Sequence, residues 1–226
     1  MTGKRPLHAT YYDIEAIHSY NIDIPQRELY LCGEPESCAG EEGDEPGVEF
    51  IMANRLVANI RYLANQDAEK PILIHMKTGG GYWTEGMAIY DAIVACPCPV
   101  HILNYSHARS MSSIIFQAAD WRAMMPSSYF MFHFGEIGVG GELRAVASDL
   151  DFTRRVDTPL MLGIYARAIQ ASKTAKFAKW SVARITGYLE RQMEKKSNVY
   201  LTAPEAVEWG FADAVFDGDW NGLVTK

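Results

Sequence analysis

The chain has 226 residues, of which 48% are hydrophobic and 22% charged, and its formal net charge is −7. That length and balance suit one large domain with an extensive apolar core. The acid excess and the lack of a Lys- and Arg-rich stripe argue against a nucleic-acid-binding protein, which needs clustered cations to neutralise phosphates.

The N-terminal segment and the hydropathy pattern predict a cytoplasmic protein. The start, MTGKRPLHATYYDIEAI, has no apolar stretch behind its two basic residues and is not a secretory signal. No segment approaches the roughly 20 apolar residues of a membrane span. The four cysteines lack the paired spacing of a zinc site, so we expect reduced thiols and no metal. They are Cys32, Cys38, Cys96 and Cys98.

The first half of the chain alternates predicted loops, helices and strands. An acidic run over 33–47, GEPESCAGEEGDEPG, predicts a solvent-exposed loop because it can bury little apolar surface. Apolar residues then recur at helical spacing over 50–65. A short apolar run over 71–76 predicts a strand that stops in the glycines at 79–81, and a helix follows over 85–96.

The same alternation continues into the middle of the chain. Strands are predicted over 100–105 and 129–133, with a buried helix over 110–119 between them. Alternating strands and helices are typical of an α/β domain with a mainly parallel sheet.

The last third is predicted to be mostly helical. Residues 142–191 have a helical pattern, with Gly163 and Gly187 as possible breaks. A short helix capped by Thr202 and ended by Gly210 comes next, and 214–216 suits one more strand.

Two residues and one glycine turn suit the active site of a serine hydrolase. Such a site needs a nucleophile, a base and oxyanion donors close together. Ser110 opens a helix, where free N–H groups and the helix dipole favour negative charge. The glycines at 79–81 allow a backbone N–H to approach a ligand, and no Walker motif follows them. His133 ends an apolar strand. Taken singly, these features also suit a helix cap, a turn and a structural histidine.

The order of these motifs resembles the Clp protease proteolytic subunit family. The family's Ser-Pro-Gly-Gly turn and Gly-x-Ala-Ile-Tyr-Asp helix correspond to TGGG at 78–81 and GMAIYD at 86–91. Its Gln-Ala-Ala-Ser-Met-Gly stretch is similar to HARSMS at 107–112, and its Met-Ile-His-Gln-Pro to MFHFG at 131–135. Its Leu-Ser-Ala-Pro-Glu-Ala-Val-Glu-Tyr-Gly run resembles LTAPEAVEWG at 201–210.

The resemblance implies a set of catalytic residues. Ser110 would be the nucleophile, His133 the general base and then acid, and the N–H groups of Gly81 and Met111 the oxyanion hole. The family's third residue, an aspartate, falls here on Asn198. An amide can still fix the histidine tautomer, but it cannot stabilise an imidazolium as a carboxylate does. No cofactor or metal is implied.

The resemblance also implies an architecture and partners. We expect a crotonase-like, Clp-type α/β domain over 27–216, with a strand–helix handle for ring stacking at about 134–165. Residues 1–26 would be an axial gate or propeptide, and 217–226 a tail. The implied partners are unfolded polypeptides, an AAA+ Clp-type unfoldase ATPase, and other copies of the chain in stacked heptameric rings.

Some features depart from the family, and other functions stay open. Arg109 replaces a small residue beside the nucleophile, the acidic loop is additional, and His107 is a rival base by proximity. Besides a serine endopeptidase, the sequence allows an inactive ring subunit, because of Asn198. It also allows a coenzyme A thioester hydratase or isomerase of the same superfold, which needs only paired oxyanion donors.

Overall fold

The fold is described from a computed structural model covering residues 11–33, 47–172 and 175–223. The acidic run at 33–47, predicted to be an exposed loop, lies almost wholly outside the described residues. Within the described ranges, no helix is long and apolar enough to cross a membrane.

The described residues form alternating helices and strands, with a π-helical turn at Thr153–Asp157 between α5 and α6. The helices are α1 Tyr11–Tyr20, α2 Phe50–Gln66, α3 Trp83–Val94, α4 Met111–Phe116, α5 Leu143–Phe152, α6 Thr158–Ala171, α7 Val182–Lys196 and α8 Ala203–Trp209. The strands are β1 Ile22–Asp23, β2 Glu28–Cys32, β3 Ile72–Thr78, β4 Val100–Arg109, β5 Trp121–Met124, β6 Tyr129–Phe132, β7 Val199–Thr202 and β8 Ala214–Val215.

One mixed sheet contains all of these strands. Its main path runs β1-β2-β3-β4-β5-β8, and every pair along it is parallel except β1 with β2. The long β4 pairs with β5 through its first half, His101–Asn104, and with β6 through its last residues, His107–Arg109. β7 then pairs antiparallel with β6. Two neighbouring parallel strands, β4 and β6, therefore end side by side.

Both faces of the sheet are covered, which explains the continuous apolar run of β3. Ile74 belongs to the large core cluster, whereas its neighbour Leu73 belongs to a smaller one that includes Leu223 from the C-terminal segment. Aromatic rings fill the space between β6 and the helices, and Phe130 stacks on Phe211 with centroids 4.5 Å apart. The site is thus built on a rigid, close-packed support.

Most of the predicted elements are present, with several corrections. The glycines at 163 and 187 do not break α6 and α7, because each helix is held by a packed apolar face; the chain leaves helical structure instead after Ala171. β4 runs four residues further than predicted, since pairing with β6 keeps its polar end extended. β5 was missed because it is short and includes Arg122.

The segment predicted to form a strand–helix handle, about 134–165, contains the helix α5, which is capped by the Glu142 side chain on the Ala145 N–H. Residues 133–142 form no strand in the described chain, so the predicted strand is absent there. A strand needs partners for its N–H and C=O groups, and no described strand pairs with this glycine-containing segment. A role of this segment in ring stacking stays a prediction.

Candidate active site

Ser110 occupies a sharp turn between β4 and α4. Its backbone angles, φ 52° and ψ −129°, lie in a region that non-glycine residues rarely adopt. The Ser110 N–H donates to the Met131 carbonyl at 3.2 Å, and the Ser113 hydroxyl donates to the Ser110 carbonyl at 2.6 Å. Strained residues held in this way are frequent at functional sites, where the surrounding structure stabilises them.

His133 lies within hydrogen-bonding distance of this serine. Arg109 and Met131 are direct partners in the β4–β6 ladder, so the chain positions just beyond each strand converge at one edge of the sheet. There the His133 Nε2 lies 2.8 Å from the Ser110 Oγ. The structure therefore brings together the predicted nucleophile and the predicted base, although 23 residues separate them.

The surroundings of His133 lower the pKa of its imidazole below the ordinary value. Partial burial is the main cause, because it disfavours the charged ring, and the Arg109 cation acts in the same direction. Glu136 and Asn198 oppose this shift, the first through its charge and the second as a hydrogen-bonding neighbour. The neutral form, the only one that can accept a proton, is thereby favoured at neutral pH.

Asn198 reaches the site through the antiparallel pair β6–β7. Phe132 is the ladder partner of Val199, which places the preceding residue, Asn198, opposite the following one, His133. Asn198 lines the same cleft as Ser110 and His133. The three residues expected to act together are thus adjacent.

The two predicted oxyanion donors also lie at this edge. Val48 forms an isolated bridge to the glycine turn after β3. In this bridge the Val48 N–H donates to the Gly80 carbonyl and the Tyr82 N–H donates to the Val48 carbonyl, so the Gly81 N–H takes no part in it. Met111 is the first residue of α4, where the backbone N–H has no partner within the helix. Gly81 and Met111 both line the cleft.

Glycines let the neighbouring segments approach closely at two further positions. A Cβ at Gly79 would lie 2.8 Å from a guanidinium nitrogen of Arg109, whose Nε donates to the Gly79 carbonyl at 3.2 Å. A Cβ at Gly86 would overlap the Met111 side chain. The Arg109 side chain therefore lies against the glycine turn and is part of the cleft wall.

The cleft has a volume of about 520 Å³. Its lining includes the buried apolar residues Met111, Ile114 and Met161, here called the floor. Its charged lining consists of Arg109, Glu136, Asp157 and the ionisable His133. Sequence reasoning singled out neither Glu136 nor Asp157. Glu136 is only three residues from His133, which is a detectable signal, whereas Asp157 reaches the cleft solely through the packing of α6.

Two other histidines, His107 and His75, lie outside the cleft. His107 packs its ring against Tyr129, with centroids 5.5 Å apart, and does not line the cleft, so the hydrogen bond to Ser110 comes from His133 and not from this rival. His75 bonds to Glu28 and Tyr105. Among the described residues, no group of three or more His, Cys, Asp or Glu side chains is arranged to hold a metal ion.

Comparison with known proteins gives one consistent result. A model of the Clp protease family matches residues 45–219. The ATP-dependent Clp protease proteolytic subunit 3 of Synechococcus sp. (strain CC9605) is 32% identical over 168 residues, which cover 73% of this chain and 76% of that relative. Subunit 1 of Corynebacterium jeikeium (strain K411) is 29% identical over 172 residues, covering 74% and 82%. Subunit 2 of Nocardia farcinica (strain IFM 10152) is 29% identical over 173 residues, covering 74% and 76%.

Proposed function

This chain belongs to the Clp protease family, and we propose that it is a serine endopeptidase subunit that cleaves unfolded polypeptides through Ser110, His133 and Asn198. The observation that carries the proposal is the 2.8 Å contact between the His133 Nε2 and the Ser110 Oγ, in a cleft that Gly81 and Met111 also line. A nucleophile within reach of its base is the first geometric requirement for acyl transfer.

In the first half of the reaction, the Ser110 Oγ attacks the scissile carbonyl carbon while its proton passes to the His133 Nε2. The carbonyl oxygen becomes an oxyanion between the N–H groups of Gly81 and Met111. Loss of one such donor typically costs about 3–4 kcal/mol of transition-state stabilisation. The His133 proton then goes to the leaving amine, and the acyl chain stays on Ser110.

In the second half, His133 takes a proton from a water molecule as the water oxygen attacks the acyl carbon. The bond from that carbon to the Ser110 Oγ then breaks, His133 returns its proton to the Ser110 Oγ, and the new carboxyl end is released. Asn198 acts as a positioning residue: its side-chain oxygen accepts the imidazole Nδ1–H and keeps Nε2 free to act as base. Because an amide has no charge, the imidazolium is stabilised less than it would be by aspartate.

Exposed apolar side chains after His133 support an assembled enzyme. α5 has no buried residue within one subunit, and Leu143 is 81% exposed. Ile137 and Val139, in the unpaired segment before it, are also exposed. We infer that this handle packs on another copy in stacked heptameric rings, which enclose the sites. An AAA+ Clp-type unfoldase would then deliver unfolded chains, an activity that the names of the relatives, ATP-dependent proteases, support.

A fluorophosphonate probe tests the chemistry directly. We expect it to label Ser110 and to label neither Ser110→Ala nor, at a measurable rate, His133→Ala. Ser128→Ala, which changes a buried serine outside the cleft, is the matched control and should be labelled like the parent chain. Native mass spectrometry of the chain and of Leu143→Glu tests the assembly, with dissociation expected for the variant. Labelling that persists in Ser110→Ala would contradict the proposal.

Asn198 favours a second candidate, a catalytically inert ring subunit of the same family. In that case rings form normally, but neither labelling nor peptide turnover is detected. A thioester hydratase or isomerase has no comparable support, since it does not need a serine held against a histidine.

A further inference from the structure

Asp157, the last residue of the π-helical turn that leads into α6, lines the proposed active-site cleft. It lies one helical turn before Met161 and two before Tyr165, at the spacing that puts residues on one helix face. All three line the cleft. Met161 and Tyr165 are buried, whereas Asp157 is only half-buried and so lies at the edge of this face.

The floor beside that edge is apolar. Met111 and Ile114 of α4 lie in the same cleft as Met161 and are equally buried. The Tyr165 hydroxyl is hydrogen-bonded to the Ser113 hydroxyl at 2.6 Å, which fixes α6 against α4. A substrate side chain in this part of the cleft can therefore pack against the thioether and alkyl groups of Met111, Ile114 and Met161.

No other interaction of the described chain uses the Asp157 carboxylate. The residue precedes α6 but makes no side-chain cap hydrogen bond, because the backbone is already helical at this point. It forms no ion pair with a described residue, whereas the nearby Asp151 pairs with Arg155 at 3.5 Å. Arg109, the cation of the cleft, is bonded to the Gly79 carbonyl.

We propose that Asp157 is a specificity-determining residue that selects substrates with a lysine or arginine side chain at the scissile bond. Such a side chain lays its methylene stem on the floor formed by Met111, Ile114 and Met161 and extends its cationic head to Asp157. The head must travel one helical turn past Met161, about 6 Å, which suits a long basic side chain. Long basic residues commonly bury the stem and keep the charge at an edge.

The charge balance of the cleft agrees with this preference. The cleft lining contains two carboxylates, Glu136 and Asp157, and one guanidinium, that of Arg109. Because the lowered pKa of His133 leaves its ring mostly neutral, the net charge of the lining is negative. The whole chain is also acidic. The negative electrostatic potential of the cleft attracts a basic substrate and repels an acidic one.

The inference rests on the proposed function, but binding tests it without catalysis. Folded Ser110→Ala is titrated with fluorescent peptides that are identical except for one residue: lysine, norleucine, which has the same stem without the charge, or glutamate. We expect lysine to bind about tenfold more tightly than norleucine, a factor equivalent to about 1.4 kcal/mol, and glutamate to bind most weakly. The lysine advantage should shrink as salt is added.

Asp157→Asn, combined with Ser110→Ala, should bind lysine and norleucine peptides equally. Glu69→Gln removes an exposed carboxylate outside the cleft and should keep the tenfold ratio. Equal binding of both peptides by the parent chain, a ratio that survives Asp157→Asn, or no peptide binding would overturn the inference. If the ratio follows Asp157 but the chain with Ser110 intact cleaves nothing, the proposed function fails, and what remains is a preference of the cleft for binding basic side chains.

Discussion

The backbone of Gly80 packs directly against the turn that holds Ser110. A Cβ built on Gly80 would stand 2.8 Å from the Ser110 Cβ, and equally close to the Met111 nitrogen and the Arg109 carbonyl oxygen. Gly80 also has φ +97°, a conformation that side chains rarely tolerate. The glycine turn, with the proposed oxyanion donor Gly81, and the turn of the proposed nucleophile Ser110 therefore fit together only because residue 80 has no side chain.

Gly80→Ala should separate these two turns. All three atoms that the new methyl group meets belong to the backbone or to Cβ, so none can swing away. We expect kcat/KM for a peptide to fall by about 100-fold, as is typical of a 1 Å displacement of reacting groups, and the free energy of unfolding to fall by about 1–3 kcal/mol.

Gly187→Ala is the matched control, because a Cβ there meets only the flexible end of the Arg191 side chain, and residue 187 lies in α7, outside the cleft. It should leave kcat/KM unchanged and should not lower the free energy of unfolding. Steady-state kinetics and thermal unfolding measure the effects, and full activity of Gly80→Ala would contradict the close fit described above.

The acid limb of the pH–rate profile should reflect the lowered pKa of His133. The base must be neutral to act, so kcat/KM should rise with pH around a midpoint below the usual histidine value of about 6.5. Glu136→Gln removes a charge that raises this pKa, and should move the limb to lower pH. Arg109→Gln removes a charge that lowers it, and should move the limb to higher pH.

We would measure kcat/KM at constant ionic strength from about pH 4 to about pH 9, in steps of about 0.5 pH units. This quantity is chosen because kcat/KM reports the pKa values of the free enzyme. Glu69→Gln, an exposed residue outside the cleft, serves as the control. Shifts of the same sign in both cleft variants would be incompatible with these electrostatics.

Asn198→Asp should make the enzyme faster. A carboxylate opposite His133 stabilises the imidazolium that forms as Ser110 attacks, and loss of that charge in a serine protease costs roughly 10⁴-fold. We expect kcat to rise at least about tenfold and the acid limb to move to higher pH, because a nearby anion raises the pKa of histidine.

The same substitution at the exposed Asn65 should change neither property. Steady-state peptide hydrolysis and the pH dependence of kcat/KM measure the two effects. If Asn198→Asp changes neither kcat nor the midpoint of the acid limb, then Asn198 does not act on the imidazole in the way proposed.

The ion pair between the buried Arg122 and the partly buried Asp213 should contribute strongly to stability outside the site. Arg122 donates to both carboxylate oxygens of Asp213, to the Gln117 side chain and to the Gly210 carbonyl, and so joins β5 to the end of α8. Asp213→Ala leaves the guanidinium buried without its anion, so we expect a loss of about 3–5 kcal/mol of unfolding free energy.

Chemical denaturation measures this loss. Asp217→Ala, at an exposed position four residues later, should cost less than about 0.5 kcal/mol. Replacing both partners by Arg122→Met and Asp213→Ala should recover part of the stability, since the unpaired charge is then gone. A loss for Asp213→Ala as small as that of the control would show that the pair is not important.

The local patterns of the chain were sufficient for most elements. Helical spacing of apolar residues predicted α2, and the Thr202 and Gly210 signals predicted α8 with its cap. Such features depend on neighbours in sequence, which is why they are readable without a structure. The short β5 and the polar end of β4 were not readable, because only pairing with distant strands keeps them extended.

For the site, the sequence by itself supplied Ser110, His133 and the glycine turn as candidates, through the order of motifs and their resemblance to one family. Tertiary structure alone decided that β4 passes β5 and pairs with β6, which puts Ser110 against His133. It also decided that the packing of α6 turns Asp157 into the cleft. Residue type and spacing encode local conformation and burial, whereas strand register and helix docking arise from the packing of the whole core, where many distant contacts act together.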